Sequence, residues 1–284
     1  MKEIIIDSYG KINLGLDVLY KREDGYHEIN TIMQQISLKD TLTIREIKED
    51  IVLGSNDENL PLDSTNLVYR AWKILQEKTG INKGIEINIH KRIPIAAGLG
   101  GGSSNAAAIL KGLNDLWKLN LREEELMELG VQIGADVPYC IMGGTALAEG
   151  IGEKLTRLKS FSGKLVLLAN PGIEVSSAKV YNNLKLQNNP QLDMKKMLSS
   201  LANDDLKSVA NNMVNVMEEV VIEEHPIILE IKNEMKKWGA LGSLMSGSGS
   251  TVFGLFDDLD KLNHSMNKLK EKLTSGTVLA VQTI

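Results

Sequence analysis

The sequence predicts a chain of mixed strands and helices in two parts, the second built around a split βαβ unit. Three observations carry that prediction. Apolar and polar residues alternate through much of the first fifty positions and again at residues 84 to 90. A glycine-rich loop at residues 94 to 104 runs directly into a helical pattern. From Lys164 onward, once the polar helices of residues 176 to 222 are collapsed, the elements read β-α-β-β-α-β.

Residues 3 to 20 read as strand. Lys11, Asn13, Gly15 and Asp17 alternate with Ile12, Leu14, Leu16 and Val18, placing lysine and asparagine on one face and aliphatics on the other. A turn at Glu23-Asp24-Gly25 precedes two strands within residues 29 to 47, broken near Lys39-Asp40. Ser64 or Thr65 caps a helix running to Gly80. Residues 84 to 90 alternate with Ile85, Ile87 and Ile89 on one side, and the glycine-rich loop and its helix follow. A second helix begins near Leu121 and fades at Gly130 to Gly134, and residues 144 to 158 form a hairpin turning at Gly150-Ile151-Gly152.

The second part opens with a strand at Lys164 to Ala169, stopped by Asn170-Pro171-Gly172. Polar helical segments follow, with a weakly patterned stretch near Gln187-Asn188-Asn189-Pro190. Pro226 starts a helix that ends at Gly239. Strands at 242 to 246 and 251 to 256 flank a glycine-serine turn. Asp257 to Leu273 is helical, and Thr277 to Gln282 closes the chain as a strand. The division falls between 158 and 164, giving segments 1–160 and 161–284.

Composition is that of a globular protein, with 43% hydrophobic and 24% charged residues among 284. A net charge of −5 argues against nucleic acid as a partner. Cys140 is the only cysteine, which excludes an internal disulfide and fits a reducing, cytoplasmic setting. The run from Met1 to Ile6 is too short for a signal peptide, and no apolar stretch is long enough to cross a bilayer.

The loop Pro94-Ile95-Ala96-Ala97-Gly98-Leu99-Gly100-Gly101-Gly102-Ser103-Ser104 is the strongest functional signal. A glycine-rich loop that opens a helix aims backbone N–H groups at one spot, and the helix dipole adds partial positive charge there. Glycine lets the backbone close around an anion that a Cβ would hold off. The loop has neither the Gly-Lys-Ser/Thr of a Walker A loop nor Gly-x-Gly-x-x-Gly spacing. Its plain alternative is a tight turn with Ser103 or Ser104 as helix cap, for which four glycines in five residues are more than is needed.

Three more segments hold polar residues in unusual places. Lys11 and Asn13 lie inside the first strand, Asp136 lies among Gly134, Ala135, Val137 and Pro138, and Ser246-Gly247-Ser248-Gly249-Ser250 forms a second glycine-serine loop. Taken singly, each is equally well a solvent-facing lysine, a turn aspartate or a hairpin turn.

Together, and in order, Tyr9 to Leu14, Pro94 to Ala108, Gly134 to Pro138 and Ser246 to Gly249 resemble the motifs of the GHMP kinases, whose name joins galactokinase, homoserine, mevalonate and phosphomevalonate kinases. Lys11 to Leu14 with Asp24-Gly25-Tyr26-His27 is similar to the branch acting on a cytidine diphosphate ester. The resemblance spans essentially the whole chain. It departs at Ala96-Ala97, where some members carry glycines, a change expected to have little consequence.

The resemblance implies a two-domain α+β fold: an N-terminal part like ribosomal protein S5 domain 2 and a C-terminal ferredoxin-like part. It implies transfer of the ATP γ-phosphate, with Mg²⁺, to the C2 hydroxyl of a small-molecule substrate, cytidine diphospho-methylerythritol. Asp136 is then the expected general base. Lys11 would keep it ionised and stabilise the transferring phosphoryl group. Residues Pro94 to Ser104 would hold the nucleotide, with Asn66 and Lys91 approaching it and Ser104 a metal ligand. Tyr26 and Tyr181 would sandwich the cytosine, His27 would bond its polar edge, and Asn13 and Gly247 would touch the acceptor. The alternatives are a homoserine- or mevalonate-type kinase and a non-catalytic nucleotide sensor. A monomer or weak homodimer, without nucleic-acid or membrane partners, is expected.

Overall fold

The computed structural model describes residues 2–185 and 191–284; Met1 and the stretch around Gln187 to Pro190 lie outside them. The fold is mixed α+β, and its internal contacts divide the chain into two units. Unit 1 comprises Met1–Gly10, Leu38–Ile95 and Gly100–Gly143; unit 2 comprises Lys11–Ser37, Ala96–Leu99 and Gly144–Ile284. Strands β1 (Glu3–Lys21) and β2 (His27–Ile47) contribute to both.

β2 is continuous, which corrects the expected break at Lys39-Asp40. The two charged residues do not need a turn because each has a partner within unit 1. Lys39 binds Asp7 at 2.5 Å. The Asp40 carboxylate, fully buried, accepts the backbone N–H groups of Arg92 and Ile93 at 2.7 and 2.9 Å. Both faces of β1 are covered, Lys11, Asn13 and Gly15 being as buried as the aliphatics between them.

In unit 1, β3 (Ile51–Ser55), not anticipated from the sequence, runs parallel to β4 (Gly84–His90), with Ile51 opposite Ile85. β4 pairs antiparallel with Thr41–Ile47 of β2. Ile85, Ile87 and Ile89 face the core as their alternation predicts; burying each stabilises the fold by about 2 kcal/mol. α1 (Leu67–Thr79) is capped by Asn66, which accepts from the Val68 N–H, and ends at Gly80 in the left-handed conformation. The expected caps Ser64 and Thr65 are displaced because Asp63 engages both the N–H and the hydroxyl of Thr65. α2 (Gly101–Trp117) and α3 (Glu123–Ile133), which starts two residues later than predicted, pack their apolar faces on this core. The short α4 (Val137–Met142) follows, with Cys140 half-buried on it.

In unit 2, β5 (Thr145–Gly150) and β6 (Lys154–Arg157) form the predicted hairpin, and β5 pairs antiparallel with Ile29–Gln34 of β2. β7 (Leu165–Asn170) leads into α5 (Ser177–Asn183), α6 (Met194–Ala202), α7 (Leu206–Asn212), α8 (Glu218–Glu224) and α9 (Ile227–Lys237). β8 (Gly242–Met245), β9 (Val252–Phe256), α10 (Leu259–Lys272) and β10 (Thr277–Gln282) complete the chain. The sheet order β10-β7-β9-β8, antiparallel throughout, is the split βαβ arrangement read from the sequence. Its core joins Leu167, Val252 and Phe256 to Ile228, Ile231 and Met235 of α9 and Leu262 and Leu269 of α10.

Candidate active site

The glycine-rich loop delivers its backbone to the first turn of α2. The cap position is Gly100 at φ 69°, and no side chain caps the helix among the described residues. Ser103 and Ser104 therefore lie inside the helix, correcting the cap reading. The first-turn N–H groups of any α-helix lack intrahelical partners, and here no acidic residue occupies that turn. Gly102 is exposed. The result is a helix N-terminus with its positive end open to an anion.

Beneath that turn, still within unit 1, lies a buried polar network. Lys91, whose side chain is 3% exposed, pairs with Asp40 at 0%. A β-carbon built on Gly101 would lie 3.2 Å from the Lys91 ammonium, which places this cation under the helix start. Asn105 donates to Asp40 and to the Ser8 hydroxyl, both at 2.9 Å. Ser8 donates to Ser104 at 2.8 Å, and Ser104 donates to the Gly101 carbonyl at 3.0 Å. The Ser104 hydroxyl is thus committed once as donor and once as acceptor, which leaves one oxygen lone pair that could face a metal. Asn66 is likewise committed, as cap and as donor to the Pro61 carbonyl at 2.6 Å. Asp136, half-exposed, occupies the position before α4 while Val137, Pro138 and Tyr139 are buried. Burial first, then the charges of Cys140 and Asp136, pushes the Tyr139 hydroxyl well above its ordinary pKa.

Unit 2 gathers the other predicted residues. The Lys11 ammonium, in a side chain that β1 buries, donates to Asn13 Oδ1 at 2.8 Å. Asn13 donates to the Thr31 hydroxyl at 2.9 Å, and Thr31 donates to the Gly15 carbonyl at 2.7 Å. The Lys11 backbone N–H donates to the Leu99 carbonyl at 2.9 Å, fastening the strand to Ala96–Leu99. The Ser246 hydroxyl donates to the Gly98 carbonyl at 2.9 Å. A β-carbon on Gly247 would lie 3.4 Å from Lys11 Nζ, from Asn13 Oδ1 and from the Gly98 carbonyl oxygen. Lys11, Asn13, Gly98 and Gly247 therefore meet at one place.

His27 stacks on Tyr181 of α5, ring centroids 5.0 Å apart and planes 21° from parallel. Partial burial, with the charge of Lys21 second, lowers the His27 pKa, which favours the neutral imidazole. Tyr26 is 60% exposed, its N–H bonded to Asp24 Oδ1 at 3.1 Å.

Four residues of these networks, Ser8, Thr31, Asp40 and Asn105, went unmarked by sequence reasoning. Asp40 carried a readable signal, since it shares the strand face of Leu38 and Leu42, where an apolar residue belongs. Asn105 lay inside the Pro94 to Ala108 motif but was given no role, and Ser8 and Thr31 carried no signal.

Comparison with known proteins gives a consistent result. The family model described as GHMP kinases N terminal domain matches residues 66–144, and GHMP kinases C terminal matches residues 197–274. A 4-diphosphocytidyl-2-C-methyl-D-erythritol kinase of Alkaliphilus metalliredigens is 46% identical over 95% of this chain and 93% of its own. The crystal structure of a 4-(cytidine 5'-diphospho)-2C-methyl-D-erythritol kinase aligns with TM-score 0.83 and 32% identity, covering 99% of both chains. A homoserine kinase from Cytophaga hutchinsonii shares the fold, with TM-score 0.78 at 19% identity over 99% of this chain and 94% of that one.

Proposed function

The chain belongs to the GHMP kinases, and from that premise we propose that it is a 4-diphosphocytidyl-2-C-methyl-D-erythritol kinase. It transfers the γ-phosphate of ATP to the C2 hydroxyl of the cytidine diphosphate substrate, a step toward isopentenyl diphosphate. The observation that carries the reading is the 46% identity to a relative of that name along nearly the full chain. The open N-terminus of α2 supports ATP as donor, and Tyr26 and Tyr181 are the proposed sandwich for the cytosine with His27 at its polar edge, although the His27 ring here lies against one face of Tyr181.

A tertiary alcohol is a weak nucleophile, so transfer needs positioning, charge stabilisation and a destination for the proton. Asp136 is the proposed base for that proton. Lys11 offsets charge on the phosphoryl group as it moves, and Asn13 and Gly247 adjoin the acceptor. Residues Pro94 to Ser104, with Asn66 and Lys91, form the proposed nucleotide site. Ser104 is the proposed protein ligand for Mg²⁺, which would supply charge neutralisation to the triphosphate. The cytosine is held by Tyr26, His27 and Tyr181. The enzyme works in the cytoplasm as a monomer or weak homodimer, and along the chain segments 1–160 and 161–284 are its proposed domains. Among the described residues no helix is long and apolar enough to cross a membrane.

A panel of acceptors with ATP tests the reading. Phosphorylation of the cytidine substrate is expected, with its uridine analogue, homoserine and mevalonate left untouched. Phosphorylation of homoserine or mevalonate alone overturns it, and ATP binding without any acceptor marks a sensor. Within the mechanism, Asp136→Asn should bind both substrates yet lose about 10²–10⁴-fold in kcat; turnover near the wild-type rate removes Asp136 from the reaction.

A further inference from the structure

We propose that Asn215 is a positioning residue of this reaction, its side-chain amide setting the Gly247 turn against Lys11 and Asn13. The inference rests on the role given to Lys11 in the proposed function, and every contact it uses lies within unit 2.

Asn215 sits between α7 and α8 and is 4% exposed. Its Nδ2 donates to the carbonyls of both Met245 and Gly247, each at 2.8 Å. Its Oδ1 accepts the Met217 N–H at 3.0 Å. Both donors and one acceptor lone pair of the amide are thus in use. One turn later, Glu218 accepts the Met245 N–H at 2.7 Å and pairs with Lys232. Met245 ends β8, the edge strand of its sheet, so its outward backbone groups face no further strand. A single segment, residues 215 to 218, satisfies them.

The same segment is tied to the strand that carries Lys11. The Leu16 N–H donates to the Val214 carbonyl at 2.8 Å, and the Val216 N–H donates to the Leu16 carbonyl at 3.1 Å. Asn215 and Leu16 form an isolated parallel bridge. Asn215 therefore links β1 to the Gly247 turn at a fixed spacing. That spacing matters because the turn lies beside the Lys11 ammonium and the Asn13 amide oxygen, each 3.4 Å from where a β-carbon on Gly247 would stand. Only an amide of this length donates to two carbonyls while accepting from the chain beside it. Aspartate has the shape but would set a carboxylate against two carbonyl oxygens.

A plain edge-strand clamp would affect stability alone, whereas a positioning residue affects the rate of the chemical step. The test is Asn215→Asp, assayed with ATP and the cytidine substrate well below its Tm. The expected result is a loss in kcat of about 10- to 100-fold, since an ångström of misplacement has that effect, with both KM values within about threefold. A kcat within twofold of wild type together with a lowered Tm overturns the proposal. Should that variant not fold, Asn215→Ser, which admits a bridging water, is read by the same criteria. In the wild type the Asn215 side-chain amide protons should be protected from solvent exchange, and exchange at the rate of an exposed amide overturns the proposal without any variant. If the wild type phosphorylates no acceptor, the functional reading falls. The positioning is then read from the NMR resonances of Lys11 and Gly247, which Asn215→Asp must move; unmoved resonances overturn it.

Discussion

Two glycine-serine turns with nearly the same composition differ in what their glycines are for. The turn at 98 to 104 opens α2 and leaves its first-turn N–H groups without a side-chain cap. The turn at 246 to 250 is fastened on several sides. Asn215 holds Gly247, Ser177 bonds Ser248 at 2.6 Å, and Asn170 donates to Ser250 and Thr251 at 3.4 and 2.9 Å. In the second turn, protein neighbours require the small residues. In the first, part of the requirement comes from protein and, under the proposed nucleotide site, part from the ligand, and the two parts can be separated residue by residue.

Gly98 belongs to the part set by protein. Its φ is 75°, and an added β-carbon would run into the Ser246 carbonyl oxygen and reach 3.0 Å from that of Gly249. Neither atom is the end of a flexible side chain. Gly98→Ala should destabilise the free protein by about 3 kcal/mol, combining overpacking of about 1–3 kcal/mol with a left-handed alanine at about 1–2 kcal/mol. Urea denaturation without ligand measures it. An unchanged midpoint would break the comparison, because Gly98 would then be required by the ligand alone.

Gly102 has no such protein neighbour, and under the proposed nucleotide site its requirement comes from the ligand. It lies in the helix, is exposed, and an added β-carbon would meet only Leu67 Cδ1 at 3.6 Å, an ordinary contact. Gly102→Ala should therefore leave the free protein as stable or raise it by about 0.5–1 kcal/mol, since alanine is the better helix former. The loss should appear with ATP present, as a KM about tenfold higher, equivalent to about 1.4 kcal/mol. A KM unchanged alongside the stability gain would mean that the backbone at Gly102 does not approach the phosphates.

The contrast also explains what could be read from the sequence and what could not. β10 appears at its predicted limits, Thr277–Gln282, because local alternation and flanking turn residues define it. The first glycine loop was legible for the same reason: its signal is contained in eleven consecutive residues. Continuity of β2 was not legible, because what replaces a turn at Asp40 is a set of partners some fifty residues away, Lys91, Arg92 and Ile93. Asn215 was invisible for a similar reason, since its partners Met245 and Gly247 lie 30 and 32 residues further on. β3 was missed because five residues between charged and polar neighbours carry too short a period, and pairing with β4 is what makes them a strand.

The last pair of expected effects comes from two adjacent alanines, and the two have opposite signs. The sequence treats Ala96-Ala97 as one conservative departure from glycine. The structure separates them. Ala96 is exposed with φ 52°, in the left-handed region where an L side chain crowds its own backbone. Ala97 is 3% exposed, lies outside that region, and its carbonyl accepts the Thr251 N–H at 3.3 Å. Ala96→Gly removes strain of about 1–2 kcal/mol and adds about 0.4–1 kcal/mol of unfolded-state entropy, so it should stabilise by about 0.5–1 kcal/mol. Ala97→Gly removes no strain, forfeits a buried methyl group and adds the same entropy, so it should destabilise by about 1–2 kcal/mol. Denaturation midpoints of the two variants, measured without nucleotide, should fall on either side of the parent. If both fall on one side, the backbone at Ala96 is relaxed in solution, and the first turn owes its shape to the ligand at that position too.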